Sequence, residues 1–142
     1  MSQKKLPAGD VLLSRDAFKV AVFARDNGKC VFCGKAAVDP HHILERDLFP
    51  DEGYYLGNGA SVCADDHLKC ERSLYTVEQV RVACGITAKI LPPGFSADKI
   101  YDKWGNELLN GTVIAGPMFS RAGTQKAMKE GGIRLWEVIQ PL

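Results

Sequence analysis

Cys30-Val31-Phe32-Cys33-Gly34 is spaced as a metal knuckle. Two intervening residues let both thiolates face one ion, and the glycine lets the chain turn sharply behind them. A second half-site lies further along: Cys63, then Asp66 three residues on, then Cys70. Three thiolates with either Asp66 or Cys70 would complete a tetrahedral set, since carboxylate is an acceptable zinc ligand beside thiolate. Two other readings fit the same residues. Cys30 and Cys33 could be a redox pair, and Cys63 and Cys70 could be small buried hydrophobes. Between the half-sites stand His41-His42, and His67 follows Asp66. All three histidines of the chain fall in the 41 residues from Cys30 to Cys70. Adjacent strand residues point to opposite faces, so His41 and His42 cannot do the same job. One can face a metal and the other a substrate. A redox pair leaves that clustering unexplained.

Helices, strands and turns must hold these residues. Ser14 can cap a helix from about Arg15 to Asp26, with Asp16 in its first turn and Asn27-Gly28 to end it. Val38 to Leu44 has strand character, with Pro40 tolerable at an edge. Arg46 to Gly57 is loop-like, Leu56 to Gly59 signals a turn, and Ala60 to Cys63 a short strand. Asp65 and Asp66 suit the first turn of a helix to about Leu74. Thr76 and Gln79 fit a capping box for a helix from Val77 to Cys84, stopped by Gly85. After Pro92-Pro93-Gly94, glycine and proline recur up to Pro117. A helical patch follows over Gln125–Glu130, and Ile133 to Ile139 reads as a closing strand. The expected organisation is a flexible N-terminal arm over 1–13, a core over 14–91, and an extension over 92–142 packed on it.

With 142 residues, 46% apolar and 25% charged, the chain suits one domain with a real core rather than a disordered chain or a disulfide miniprotein. Five cysteines cannot all pair. No apolar run is long enough to cross a bilayer, and the basic N-terminus lacks the apolar segment of a secretory signal. The expectation is a cytoplasmic protein with reduced thiols and no membrane partner. The net charge of +1 conceals a pattern: +3 over residues 1–30, −5 over 31–78 and +3 over 79–142. An acidic centre can hold a cation, and basic flanks can hold a polyanion.

The ordered set Cys30-Val31-Phe32-Cys33-Gly34, Asp39-Pro40-His41-His42-Ile43, Asn58-Gly59-Ala60-Ser61-Val62-Cys63 and Asp66-His67 resembles the HNH endonucleases, of the ββα-metal fold. The similar stretch runs from about Arg25 to Glu71, about a third of the chain. Later segments, Pro92–Gly94, Tyr101–Asn106 and Gly116–Phe119, are similar to the tails of phage-encoded members. The resemblance implies an α+β protein: a ββα-metal core with a zinc knuckle, an N-terminal helix and a C-terminal extension. It makes His41 and His67 ligands of one catalytic divalent ion (Mg2+, Mn2+, Ni2+ or Zn2+). It makes His42 the general base, and Asn58 the brace that keeps that base oriented. It assigns structural Zn2+ to Cys30, Cys33 and Cys63. The fourth position departs from the family pattern, holding Asp66 where Cys or His is usual, with Cys70 as the alternative.

The implied activity is hydrolysis of DNA phosphodiester bonds, leaving 5′-phosphate and 3′-hydroxyl ends. A neutral imidazole, with an ordinary pKa near ~6.5, can take a proton from water at neutral pH. Asp39 and Asp65 read as a turn residue and a helix-start charge. Arg46, Lys69 and Arg72 are the nearest cations in sequence to hold the phosphate backbone, and Tyr54-Tyr55 can stack on bases or support the loop, support being the favoured reading. Tyr101 and Trp104 would pack the tail on the core. The expected partner is DNA, together with other phage or host nucleic-acid-processing proteins, and the expected state is monomer or homodimer. A phage-encoded member would act in the host cytoplasm. The competing functions are a non-catalytic zinc-stabilised nucleic-acid-binding module and an RNA-cleaving nuclease of the same family.

Overall fold

The computed structural model describes residues 6–141. Helix α1 (Arg15–Arg25) starts where Ser14 accepts a hydrogen bond from the Ala17 N–H at 3.1 Å, and it buries Phe18, Ala21 and Val22. Asn27 and Gly28, both at positive φ, turn the chain out of it. Strand β1 (Asp39–His42) pairs antiparallel with β2 (Gly59–Val62), setting His41 opposite Ala60 and His42 opposite Gly59. Helix α2 (Ala64–Glu71) follows directly, and α3 (Val77–Cys84) carries the expected capping box between Thr76 and Gln79 and ends at Gly85 in the left-handed region.

Gly59 decides how α1 meets this hairpin. A Cβ there would lie 2.4 Å from Val22 Cγ2 and 2.7 Å from Phe18 Cε2. Without it, Phe18 reaches across β2 and stacks on the His42 ring, with centroids 4.9 Å apart. Arg25 and Asp26 fasten the far end of the helix: Arg25 donates to the Leu56 and Gly59 carbonyls, and Asp26 accepts from the Ser61 N–H at 3.0 Å. The arm expected over 1–13 lies outside the described residues for 1–5. Beyond them, Gly9 accepts from the Gly57 N–H and Leu13 donates to Tyr54 O, so this segment is tied to the loop before β2.

The chain after Pro92 holds a second hairpin, β3 (Glu107–Leu109) and β4 (Thr112–Ile114), and α4 (Ala122–Glu130). The hairpin was not expected. Its turn is Asn110-Gly111, with φ of 50° and 79°, the dipeptide that suits a two-residue turn with both φ positive. The closing strand expected over Ile133–Ile139 is absent. Leu135–Glu137 form a turn of 3-10 helix, and only Ile139 bridges to Ile114. Ile133, Leu135 and Val138 all pack on Ala115, Phe119 and Met128, and inward positions two and then three apart suit a turn rather than a strand. The helix expected to reach Leu74 ends at Glu71, because Ser73 takes a φ of 59°. The main core joins Ile43, Leu44, Val62, Cys70, Val77 and Val80 to Tyr101 of the extension. The architecture is mixed α and β, with four helices and two small sheets among the described residues. None of these helices is long and apolar enough to cross a membrane.

Candidate metal centres and the adjoining cleft

Cys30, Cys33, Cys63 and Asp66 form one cluster, each offering a donor atom within 4.8 Å of the others. The knuckle turn is closed by bonds from the Cys30 N–H to Lys35 O and from the Gly34 N–H to Cys30 O, and Val31 ties it to Ser61 of β2. Cys63 caps α2, with its sulfur accepting from the Asp66 N–H. That places the Asp66 carboxylate 3.2 Å from Cys30 Sγ and 3.3 Å from Cys63 Sγ. The Cys33 and Cys63 sulfurs stand 3.7 Å apart. Two thiolates at ~2.3 Å on a tetrahedral ion lie roughly 3.8 Å apart, so the spacing fits zinc. Cys70 is not part of the cluster; it is buried in the main core among Leu44, Val62 and Val77. Burial pushes its thiol up to about 12. All five cysteines are free of disulfides.

Purified protein is expected to carry about one zinc per chain by elemental analysis. Cys30→Ser should lose the zinc and lower the melting temperature. Asp66→Cys should hold the metal more strongly against a chelator, because thiolate is the better zinc ligand. Equal chelator resistance in Asp66→Cys and the native chain would remove Asp66 from the ligand set.

The second cluster is His41, His67 and Glu71, again with donor atoms within 4.8 Å of one another. β1 delivers His41 and α2 delivers the other two, four residues apart on one helix face. His67 Nε2 lies 3.1 Å from Glu71 Oε1, and its Nδ1 lies 3.1 Å from Asp39 Oδ2. A carboxylate on the far nitrogen of a ligating imidazole fixes its orientation. Asp39, read above as a turn residue, therefore supports His67, whereas Asp65 is an exposed first-turn charge. His41 is 2% exposed, and its Nδ1 is buried with no hydrogen-bond partner. Burial, then the nearby Lys103, His67 and His42, holds its pKa well below the ordinary imidazole value. A neutral imidazole with an unspent buried nitrogen, a second imidazole and a carboxylate suit a divalent ion of the zinc, manganese or nickel type.

His42 points to the other side of β1. Its ring stacks on Phe18 and meets Tyr54 edge-on at 4.9 Å, and its Nε2 is buried with no hydrogen-bond partner. Burial lowers its pKa to about 4, against an opposing pull from Glu45, so it is neutral at neutral pH. The Glu52 backbone lies close to the ring and pulls its pKa slightly the other way. Glu52 and Gly53 both have positive φ, near 70°, a conformation that needs support. Asn58 supplies it. Fully buried beneath the loop, it donates from Nδ2 to the Leu44 and Gly53 carbonyls and accepts on Oδ1 from the Leu44 N–H.

Both sides of β1 open on one cleft of about 810 Å3. Of the three cations proposed from sequence for the nucleic acid, only Arg46 lines it. Lys69 sits beside Asp66 of the cysteine cluster, 3.8 Å away, and Arg72 pairs with Glu130. The reason is helical phase: residues two and five beyond His67 fall off the face shared by His67 and Glu71. The cleft draws its other cations from distant segments: Arg15 and Lys19 of α1, Lys103, and Arg121 ahead of α4. Lys103 is 6% exposed and clamped between two carboxylates, with Nζ 2.9 Å from Glu45 Oε2 and in direct contact with Glu71. Its loop is rigid. Asp102 accepts from the Trp104 and Asn106 N–H groups, and Trp104 Nε1 donates to Glu71 O at 2.8 Å. Tyr101 and Trp104 thus pack the extension on the core as expected. Glu71 was readable as the i+4 neighbour of His67; Lys103 had no local signal.

Neither a family model nor a curated protein nor a solved structure matches the chain.

Proposed function

We propose that the chain is a metal-dependent endonuclease of the HNH kind, hydrolysing phosphodiester bonds of DNA. The observation that carries this reading is a pairing across one strand. A two-histidine, one-carboxylate cluster lies on one side of β1, and a neutral imidazole that lines the same cleft lies on the other. The order β1, β2, α2 and the position of Asn58 beneath the loop support the ββα-metal form of that reading.

The roles follow from what each side chain can do. His42, which lines the cleft, accepts the proton of the attacking water, and the Phe18 stack and the edge-on Tyr54 ring hold the imidazole in place for it. Asn58 is a positioning residue that acts through the Glu52–Gly53 turn. His41, His67 and Glu71 would hold the divalent ion, which when bound stabilises charge on the phosphate and the leaving oxygen. Asp39 keeps the His67 ring turned toward that position. Arg15, Lys19, Arg46 and Arg121 hold the flanking phosphates around the cleft. The cysteine cluster, with zinc, ties the knuckle to the start of α2 and so fixes His67 against β1.

Incubation of supercoiled plasmid with the purified chain in Mg2+, Mn2+, Ni2+ or Zn2+ tests the reading. Nicked circles should form first, since one such site cuts one strand. Fully supercoiled plasmid in all four metals, alongside retained DNA binding, would instead identify a non-catalytic module. Cleavage confined to a parallel RNA substrate would correct the substrate.

A further inference from the structure

α4 opens onto the same cleft without a cap. Its N-cap residue is Arg121, whose side chain makes no capping bond, and two residues of its first turn, Gly123 and Thr124, line the cleft with His41 and His42. The first N–H groups of a helix have no partner inside it, and the aligned peptides leave about half a positive charge at that end. Thr124 adds an independent sign. It is 2% exposed, and its Oγ1 is buried without a hydrogen-bond partner. A buried hydroxyl left unpaired is costly, so such a group is expected where something outside the chain completes it. There is room for a ligand beside it: a Cβ built on Gly123 meets nothing within 4 Å. Arg121 is held at the rim by Asp47, with Nη1 and Oδ2 2.9 Å apart.

We propose that the first turn of α4, with Thr124 Oγ1 and Arg121, is a second phosphate subsite that takes a backbone phosphodiester of the nucleic acid beside the one cut. The inference rests on the nuclease reading for its ligand. Helix N–H groups and a hydroxyl are the donors that suit a phosphate, and a subsite here gives the extension a direct part in setting where the strand lies over His42.

Two variants test it. Gly123→Glu puts a carboxylate into the open space, and an acid in a first turn favours the helix, so the fold should be retained. Thr124→Val keeps the shape and removes the hydroxyl. Binding of a short DNA duplex, followed by fluorescence anisotropy without added divalent cation, should weaken about tenfold or more in Gly123→Glu and severalfold in Thr124→Val. The slope of log affinity against log salt should fall by about one in Gly123→Glu, as for one lost phosphate contact. Backbone amide shifts of Ala122, Gly123 and Thr124 in the native chain should move on adding the duplex.

Unchanged affinity and salt slope in both variants would overturn the subsite and leave the nuclease reading standing. Amide shifts produced by inorganic phosphate but not by the duplex would also overturn it, in favour of a free-anion site. A native chain that neither binds the duplex nor nicks plasmid would overturn both.

Discussion

Replacing His42 with alanine is expected to remove cleavage while sparing both metal clusters. His42 shares no hydrogen bond with His41, His67 or Glu71, and it faces α1 and Tyr54 rather than α2. A positioned general base contributes roughly 10²–10⁴-fold to such a reaction, and the cleavage rate should fall by that much at saturating divalent cation. The lost stack on Phe18 should cost about 1 kcal/mol of stability, small against a loss of function of that size. Zinc content and the affinity for the catalytic cation should not change. A parallel Asn58→Ala variant should also slow cleavage, but through the loop: it strips two carbonyls and one N–H of their partners at once. It should therefore lose stability as well as activity, which separates a positioning role from that of the base.

Lys103→Met should have the largest effect on the metal-free protein. The ammonium sits between Glu45 and Glu71, and Glu71 has His67 Nε2 as its other partner at 3.1 Å. Removing one member of a buried ion pair costs about 3–5 kcal/mol. Glu71 is partly exposed, with 28% of its side-chain surface accessible, so the lower end, about 3 kcal/mol, is expected. For a chain of this length that is roughly 10 °C in melting temperature. The same change removes a positive charge from the edge of the His41, His67 and Glu71 cluster. Divalent cation should then bind more tightly and restore part of the lost melting temperature. Thermal melts of the native and Lys103→Met chains with and without Mn2+ check both halves. A variant that melts like the native chain, with no greater shift from Mn2+, would show that Lys103 does not balance this cluster.

The local elements were largely legible in the sequence because their signals are local. Ser14, Thr76 with Gln79, and Gly85 mark helix ends by their own side-chain chemistry or backbone freedom, and the structure uses each of them so. The cysteine cluster was legible for the same reason, except for the choice between Asp66 and Cys70. Helix geometry decides that choice. Asp66 shares the first turn with Cys63, whose sulfur already holds its N–H, while Cys70 lies a full turn further on and faces the core. The C-terminal extension was harder to read. Ile133 to Ile139 has the composition of a strand, but its inward side chains serve one small cluster around Met128, and no neighbouring strand requires a ladder there. The cations of the cleft were least legible. Arg15, Lys103 and Arg121 meet only in three dimensions, and proximity in sequence to His67 favoured Lys69 and Arg72, which helical phase turns away.

The proposed function uses both sides of β1, with His41 in the metal cluster and His42 assigned to the substrate side. Single-turnover nicking of supercoiled plasmid by native and His42→Ala protein, at saturating Mn2+ and with zinc content and Mn2+ affinity measured on the same samples, tests it most directly. The predicted result is nicking by the native chain, loss of at least about a hundredfold in the variant, and equal metal content and affinity in both. Undiminished nicking by the variant, or nicking lost only together with the metal, would contradict a base on one side of the strand and a metal on the other.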